Sequence, residues 1–86
     1  MIPFKTFQNF NPDFKAFILW QDGVALNLMR SEEDYLVSLY ELYGYYVEIF
    51  FDADSEPVQM KEFEGTDRLS PYLNLLDIQE VVMKIN

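Results

Sequence analysis

From Val24 to Phe63 short runs of β-branched, aliphatic and aromatic residues are cut by clusters of acidic, glycine, serine and proline residues. Runs of that kind mark strands, and the punctuation between them sets where the chain turns. Val24–Arg30 is the first expected strand, and the charged loop Ser31-Glu32-Glu33-Asp34 follows it. Tyr35–Leu42 is the second and Tyr45–Phe51 the third, with Tyr43-Gly44 between them as a two-residue turn. Asp52-Ala53-Asp54-Ser55-Glu56-Pro57 is dense in turn chemistry, so Val58–Phe63 returns as a fourth. Connections this short join antiparallel neighbours, and the expected sheet is a meander.

The spacing changes at both ends. Phe4, Phe7 and Phe10 lie three apart behind Pro3, which suits one turn of helix or an extended arm anchored by its rings. Asn11-Pro12-Asp13 is a helix start: Asn caps, Pro suits the first helical position, and Asp favours the positive end of the dipole. Phe14, Phe17 and Ile18 then share the expected buried face of a helix to about Gln21. Leu19 and Trp20 widen its apolar arc, Trp20 is expected to pack against the sheet, and Asp22-Gly23 ends the helix. After Gly65 a turn from Thr66 leads to a helix from Pro71, with Tyr72, Leu73, Leu75 and Leu76 as its apolar surface. Asp77-Ile78-Gln79-Glu80 resembles a capping box for a second short helix through Ile85, while a fifth strand over Val81 to Ile85 competes with it. The expected fold class is α+β: a four-stranded antiparallel meander with one N-terminal helix and one or two C-terminal helices, one domain over residues 1–86.

Pairing the central strands about Tyr43-Gly44 puts Leu36, Tyr40, Leu42, Tyr45, Val47, Ile49 and Phe51 on one face. The other face receives Tyr35, Val37, Leu39, Tyr46 and Phe50, with Glu41, Glu48 and Asp52 among them. A sheet covered on one side alternates cleanly between apolar and polar residues, and this hairpin does not. Something must cover the second face. The expectation is a homodimer centred on Val37, Leu39 and Phe50, with Tyr35 and Tyr46 beside them and the glutamates at the rim. A closed monomer, with the Phe4-Phe7-Phe10 arm and the first helix wrapped over that face, is the alternative.

Composition narrows the chemistry. Half of the residues are apolar and 17% are aromatic, so the chain folds around a core. Size scaling leaves about 64% of an 86-residue chain's extended surface buried, enough for a core and little more. There is no cysteine and no histidine, which removes Cys/His zinc sites, a Cys nucleophile, a His base and a Ser-His-Asp triad. The opening Met1-Ile2-Pro3-Phe4-Lys5-Thr6-Phe7 lacks the apolar stretch and cleavage pattern of a signal peptide, and no apolar run is long enough to span a bilayer. A cytoplasmic location without membrane contact is the expectation by elimination. Net charge is −9 and is concentrated beyond residue 30, where thirteen carboxylates face three cations. That field repels phosphate, so no nucleic acid is expected as a partner, although the acidity keeps a small protein soluble and leaves room for a basic protein partner.

Trp20-Gln21-Asp22-Gly23, Tyr35-Leu36-Val37-Ser38-Leu39-Tyr40, Tyr46-Val47-Glu48-Ile49-Phe50-Phe51-Asp52 and Leu69-Ser70-Pro71-Tyr72-Leu73 resemble stretches of small uncharacterised bacterial proteins. The likeness covers residues 14 to 78. It implies a bacterial origin and a compact α+β fold, and it brings no catalytic or binding residues.

Candidate chemistry is sparse. Asp52, Asp54 and Glu56 alternate like the first ligands of a calcium loop, but Pro57 and Phe63 stand where that loop needs Gly and Glu. They read first as a solvated turn and only weakly as a metal site. Glu41 and Glu48 share a face but are offset, partnered by Tyr46 and Leu39, so they read as rim carboxylates and not as an acid/base pair. Seven of the seventeen residues from Tyr35 to Phe51 are aromatic, a density that cross-strand packing explains and that also suits a protein interface. No catalytic residue and no cofactor is expected. The functional expectation is a non-enzymatic acidic protein working through protein contacts. The alternatives are an acidic inhibitor or immunity-type protein masking a basic target, and a metal-assisted hydrolase using Asp52, Asp54 and Glu56.

Overall fold

Two consecutive residues in the left-handed region, Tyr43 at φ 53° and Gly44 at φ 90°, reverse the chain at the centre of the sheet. Positive φ at both positions is the signature of the tight turn whose twist matches that of the flanking strands. It fixes the register on either side, from Leu42↔Tyr45 to Leu36↔Phe51. The computed structural model describes residues 1–73. In chain order the elements are α1 (Phe4–Gln8), α2 (Pro12–Asp22), β1 (Val24–Glu32), β2 (Tyr35–Leu42), β3 (Tyr45–Phe51) and β4 (Pro57–Phe63), then a 3-10 turn at Asp67–Leu69. Residues 70–73 are helical. The four strands form one antiparallel sheet in the order β1-β2-β3-β4.

The fold class is therefore α+β with the meander expected from the sequence, and two details differ. β1 runs to Glu32, because Glu33 adopts φ 54° and closes its turn in two residues. The aromatic opening forms a separate one-turn helix, α1, with Phe7 donating its N–H to the Pro3 carbonyl at 3.0 Å. The proposed second C-terminal helix and the competing strand at 81–85 lie outside the described residues.

α2 begins where Asn11 caps it, its side chain accepting the Phe14 N–H at 2.8 Å, with Pro12 in the first turn. It ends at Gly23, whose N–H donates to the Leu19 carbonyl. An added Cβ at Gly23 would collide with that carbonyl oxygen, so the closing turn has no room for a side chain. α1 and α2 lie on the same face of the sheet. Phe7, Leu19, Leu42, Tyr45 and Val47 form the buried centre there, with Phe4, Phe10 and Ile18 packed around it. Phe4 and Phe7 meet the Tyr45 ring at 5.3 and 5.7 Å, and Tyr45 donates its hydroxyl to the Ile2 carbonyl at 2.9 Å.

Two expectations are overturned. Phe14 and Phe17 do not form the buried face of α2: Phe17 is 53% exposed, Phe14 is exposed, Ile18 is half-buried and Leu19 is the buried residue. Trp20 does not pack on the sheet but stands 90% exposed. The helix is rotated so that Lys15 turns inward to Glu62 on β4, their charges 3.1 Å apart, and Leu19 turns toward Leu42 and Val47. Apolar side chains on most of its circumference left spacing unable to choose a face.

The second sheet face is closed within the chain. Val37, Leu39 and Phe50 are buried, as are Phe63 and Tyr72. Neither the N-terminal arm nor a second copy is needed to cover it. The segment after β4 crosses the sheet edge and lays Leu69 and Tyr72 onto Leu39 and Phe63, while Arg30 and Lys61 reach over Phe50 from the two edge strands.

Candidate functional site

The residues expected at a dimer surface are distributed quite differently. Val37, Leu39, Phe50 and Glu48 are interior, Tyr46 and Glu41 are half-buried, and Tyr35 is exposed. They do not make an open patch. Glu48, expected as a rim carboxylate, is 3% exposed. β-Sheet parity explains what it meets there: Arg30 on β1 opposes Val37, which opposes Phe50, so Arg30 and Glu48 emerge on the same face.

Glu48 Oε2 accepts hydrogen bonds from Arg30 Nε at 3.1 Å and from the Tyr72 hydroxyl at 2.6 Å. A second guanidinium nitrogen, Nη2, lies 3.1 Å away, and Arg30 also reaches Glu32 at 3.6 Å. The guanidinium stacks 5.8 Å from the Phe50 ring and 5.9 Å from Tyr72. Burial weakens the charged form of Arg30, yet its hydrogen bond to Glu48 and that carboxylate's field hold its pKa above the ordinary value. Burial, then the hydrogen bond to Glu48, raises the Tyr72 hydroxyl well above the tyrosine range. A carboxylate held by two donors is a structural clamp and not a free base. In the sequence Glu48 alternates with Val47 and Ile49 as a solvent-facing residue does, and only its neighbours on its own face, Tyr46 and Phe50, pointed to burial.

Asp52, Asp54 and Glu56 form a closed turn. Asp52 Oδ1 accepts the backbone N–H groups of Asp54 and Glu56 at 2.9 and 3.0 Å, and Ser55 donates back to the Asp52 carbonyl. Asp52 is thus the turn's internal acceptor, and among the described residues no three acidic side chains gather to hold a metal ion. Also among the described residues, no helix is long and apolar enough to cross a membrane.

The open surface of the molecule lies on the other face, beside α2. Phe10, Phe14 and Phe17 form a continuous row of rings, 4.6 Å and then 6.2 Å between centroids, and exposed Trp20 follows one turn later. Between this helix and the sheet runs a groove of about 710 Å³. Ala25, Tyr40, Ile49 and Met60 line it from the strands, and Ala16, Leu19 and Trp20 from the helix. Among the described residues, α1 and α2 cover the end of the sheet nearest the Tyr43-Gly44 turn and not the far end, where Met29, Leu36 and Val58 are exposed. Trp20 is the ring of α2 that lines the groove, and an apolar groove with an exposed ring in its wall can hold an apolar side chain or segment. The sequence placed these rings on α2 but turned them toward the core.

Comparison of the chain with protein-family models, with curated proteins and with solved structures finds no match.

Proposed function

We propose that this protein is non-enzymatic and works by binding another protein through α2 and the groove beside it. The observation that carries the proposal is the exposure of Trp20, 90%, at the groove, on a helix that also exposes Phe14 and Phe17. Burying large apolar side chains is the main driving force of folding, and a small domain that leaves three rings in water on one helix forgoes stability it has little of. Contiguous exposed rings beside a groove are the usual form of a protein contact site, where tryptophan and other aromatics act as anchors. The contact role expected from the sequence thus moves from the sheet's second face to its first.

Self-association here would set two copies of net charge −9 against each other, so sedimentation at low micromolar concentration should give a mass near that of one 10.2 kDa chain. The functional test is capture by the intact protein, compared with Phe17→Asp and Trp20→Ser. Both variants should melt close to the wild type, because the residues they alter are exposed. A protein retained by the wild type and by Glu64→Gln, but lost by both α2 variants, supports the proposal. Identical capture by all four sinks it.

A further inference from the structure

We infer that the segment bound in this groove is basic and amphipathic: apolar on the side that enters, with lysine or arginine on the side that does not. The inference rests on the contact role proposed above and adds the chemistry of the partner. The groove's lining is apolar on both walls, with Asp13 as its one charged residue. Asp13 stands in the lining itself, and the acidic turn containing Asp54 and Glu56 joins Phe51 to Pro57, both of which line the groove. The only cation of α2, Lys15, is already paired with Glu62. A partner offering apolar residues alone would leave these carboxylates unmatched at the rim, and an acidic one would be repelled. A second copy of this chain brings the same carboxylates and no cation of α2 free to meet them. Complementary charge at a rim raises encounter rates and excludes wrong partners, while the apolar centre supplies affinity.

The test uses the 86-residue chain and two short amphipathic peptides with the same leucine face, one carrying lysines on its polar face and the other glutamates. Trp20 is the only tryptophan and borders the groove, so its emission reports occupancy directly. The lysine peptide should shift that emission to the blue and bind at least about ten-fold more tightly than the glutamate peptide at low salt, the difference shrinking as salt screens the rim. Removing two border charges with Asp13→Asn and Glu56→Gln should weaken the lysine peptide about three-fold or more. Glu64→Gln with Asp67→Asn removes as much charge away from the groove and should change affinity by less than about two-fold. Equal affinity for the two peptides overturns the inference, as does an equal effect of the two variant pairs, which would mean diffuse attraction to an acidic protein. A blue shift on raising protein concentration without peptide overturns it in favour of a second copy. If neither peptide binds while Phe17→Asp still loses a captured protein, the basic partner falls and the contact role stands.

Discussion

At the scale of single residues, the backbone conformations at the turns make the sharpest expectations. Gly44 sits at φ 90° with open space around its missing Cβ, so a side chain there would be strained by the backbone alone. Gly44→Val should destabilise the protein by more than about 1 kcal/mol in chemical denaturation. An unchanged midpoint would refute the turn assignment. Glu33 is the opposite case, an exposed residue holding φ 54° that a glycine would hold without strain. Glu33→Gly should raise stability by up to about 1 kcal/mol. Tyr43 carries a pH dependence. Its hydroxyl donates to the Asp22 carboxylate, and that bond, with some burial, pushes its pKa up to about 12. The bond exists only while the phenol is protonated. Its contribution is complete below the ordinary tyrosine pKa of about 10 and is lost as pH rises through the folded value. An absorbance titration of Tyr43→Phe should lose one phenol from the late-ionising part of the curve; loss of that phenol from the part near pH 10 instead would show that Asp22 does not hold the hydroxyl.

At the scale of elements, α2 and α1 divide the work of covering the sheet unequally. The five-residue α1 places Phe7 fully out of solvent, whereas the eleven-residue α2 buries only Leu19. Phe7→Ala should therefore cost about 3–5 kcal/mol, and Phe17→Ala about 1 kcal/mol or less, by thermal or urea melts. Comparable losses would mean that α2 faces the other way. The sequence located both helix ends and the cap, because those depend on residues next to one another: Asn11 with Phe14, Gly23 with Leu19. It did not locate the inner face. Phe14, Phe17, Ile18, Leu19 and Trp20 occupy most of the helix circumference, and the choice between faces was made by Lys15 reaching Glu62 and by Phe7 and Phe10 filling the space ahead.

At the scale of the whole molecule, the Arg30–Glu48–Tyr72 cluster ties the first strand and the segment after β4 to the sheet's centre. Removing Glu48 leaves the half-buried Arg30 with only its longer contact to Glu32 and the buried Tyr72 hydroxyl without its acceptor, so Glu48→Ala should cost about 2 kcal/mol or more. Replacing all three together, with Arg30→Met, Glu48→Leu and Tyr72→Phe, should recover most of that loss, since an apolar cluster of similar volume needs no compensation. If the triple variant is as unstable as Glu48→Ala, the cluster acts through shape and not charge. The two faces now have distinct roles. One is sealed by this cluster and by Leu69, and the other carries the groove beside α2, where the proposed contact would form.

The sequence by itself determined the strands, their order and the register of the central pair. A two-residue turn admits only one pairing, and alternation of side chains then assigns every residue of both strands to a face. That is short-range information, carried by neighbours in the chain. It also implied that both faces needed cover. Which segment covers which face, which side of α2 is exposed, and what lies against Glu48 were decided only by the tertiary structure. Arg30 and Tyr72 are 18 and 24 residues from Glu48, and Lys15 is 47 from Glu62. No spacing rule reaches that far, because contacts at such separations form only once the sheet exists to bring them together.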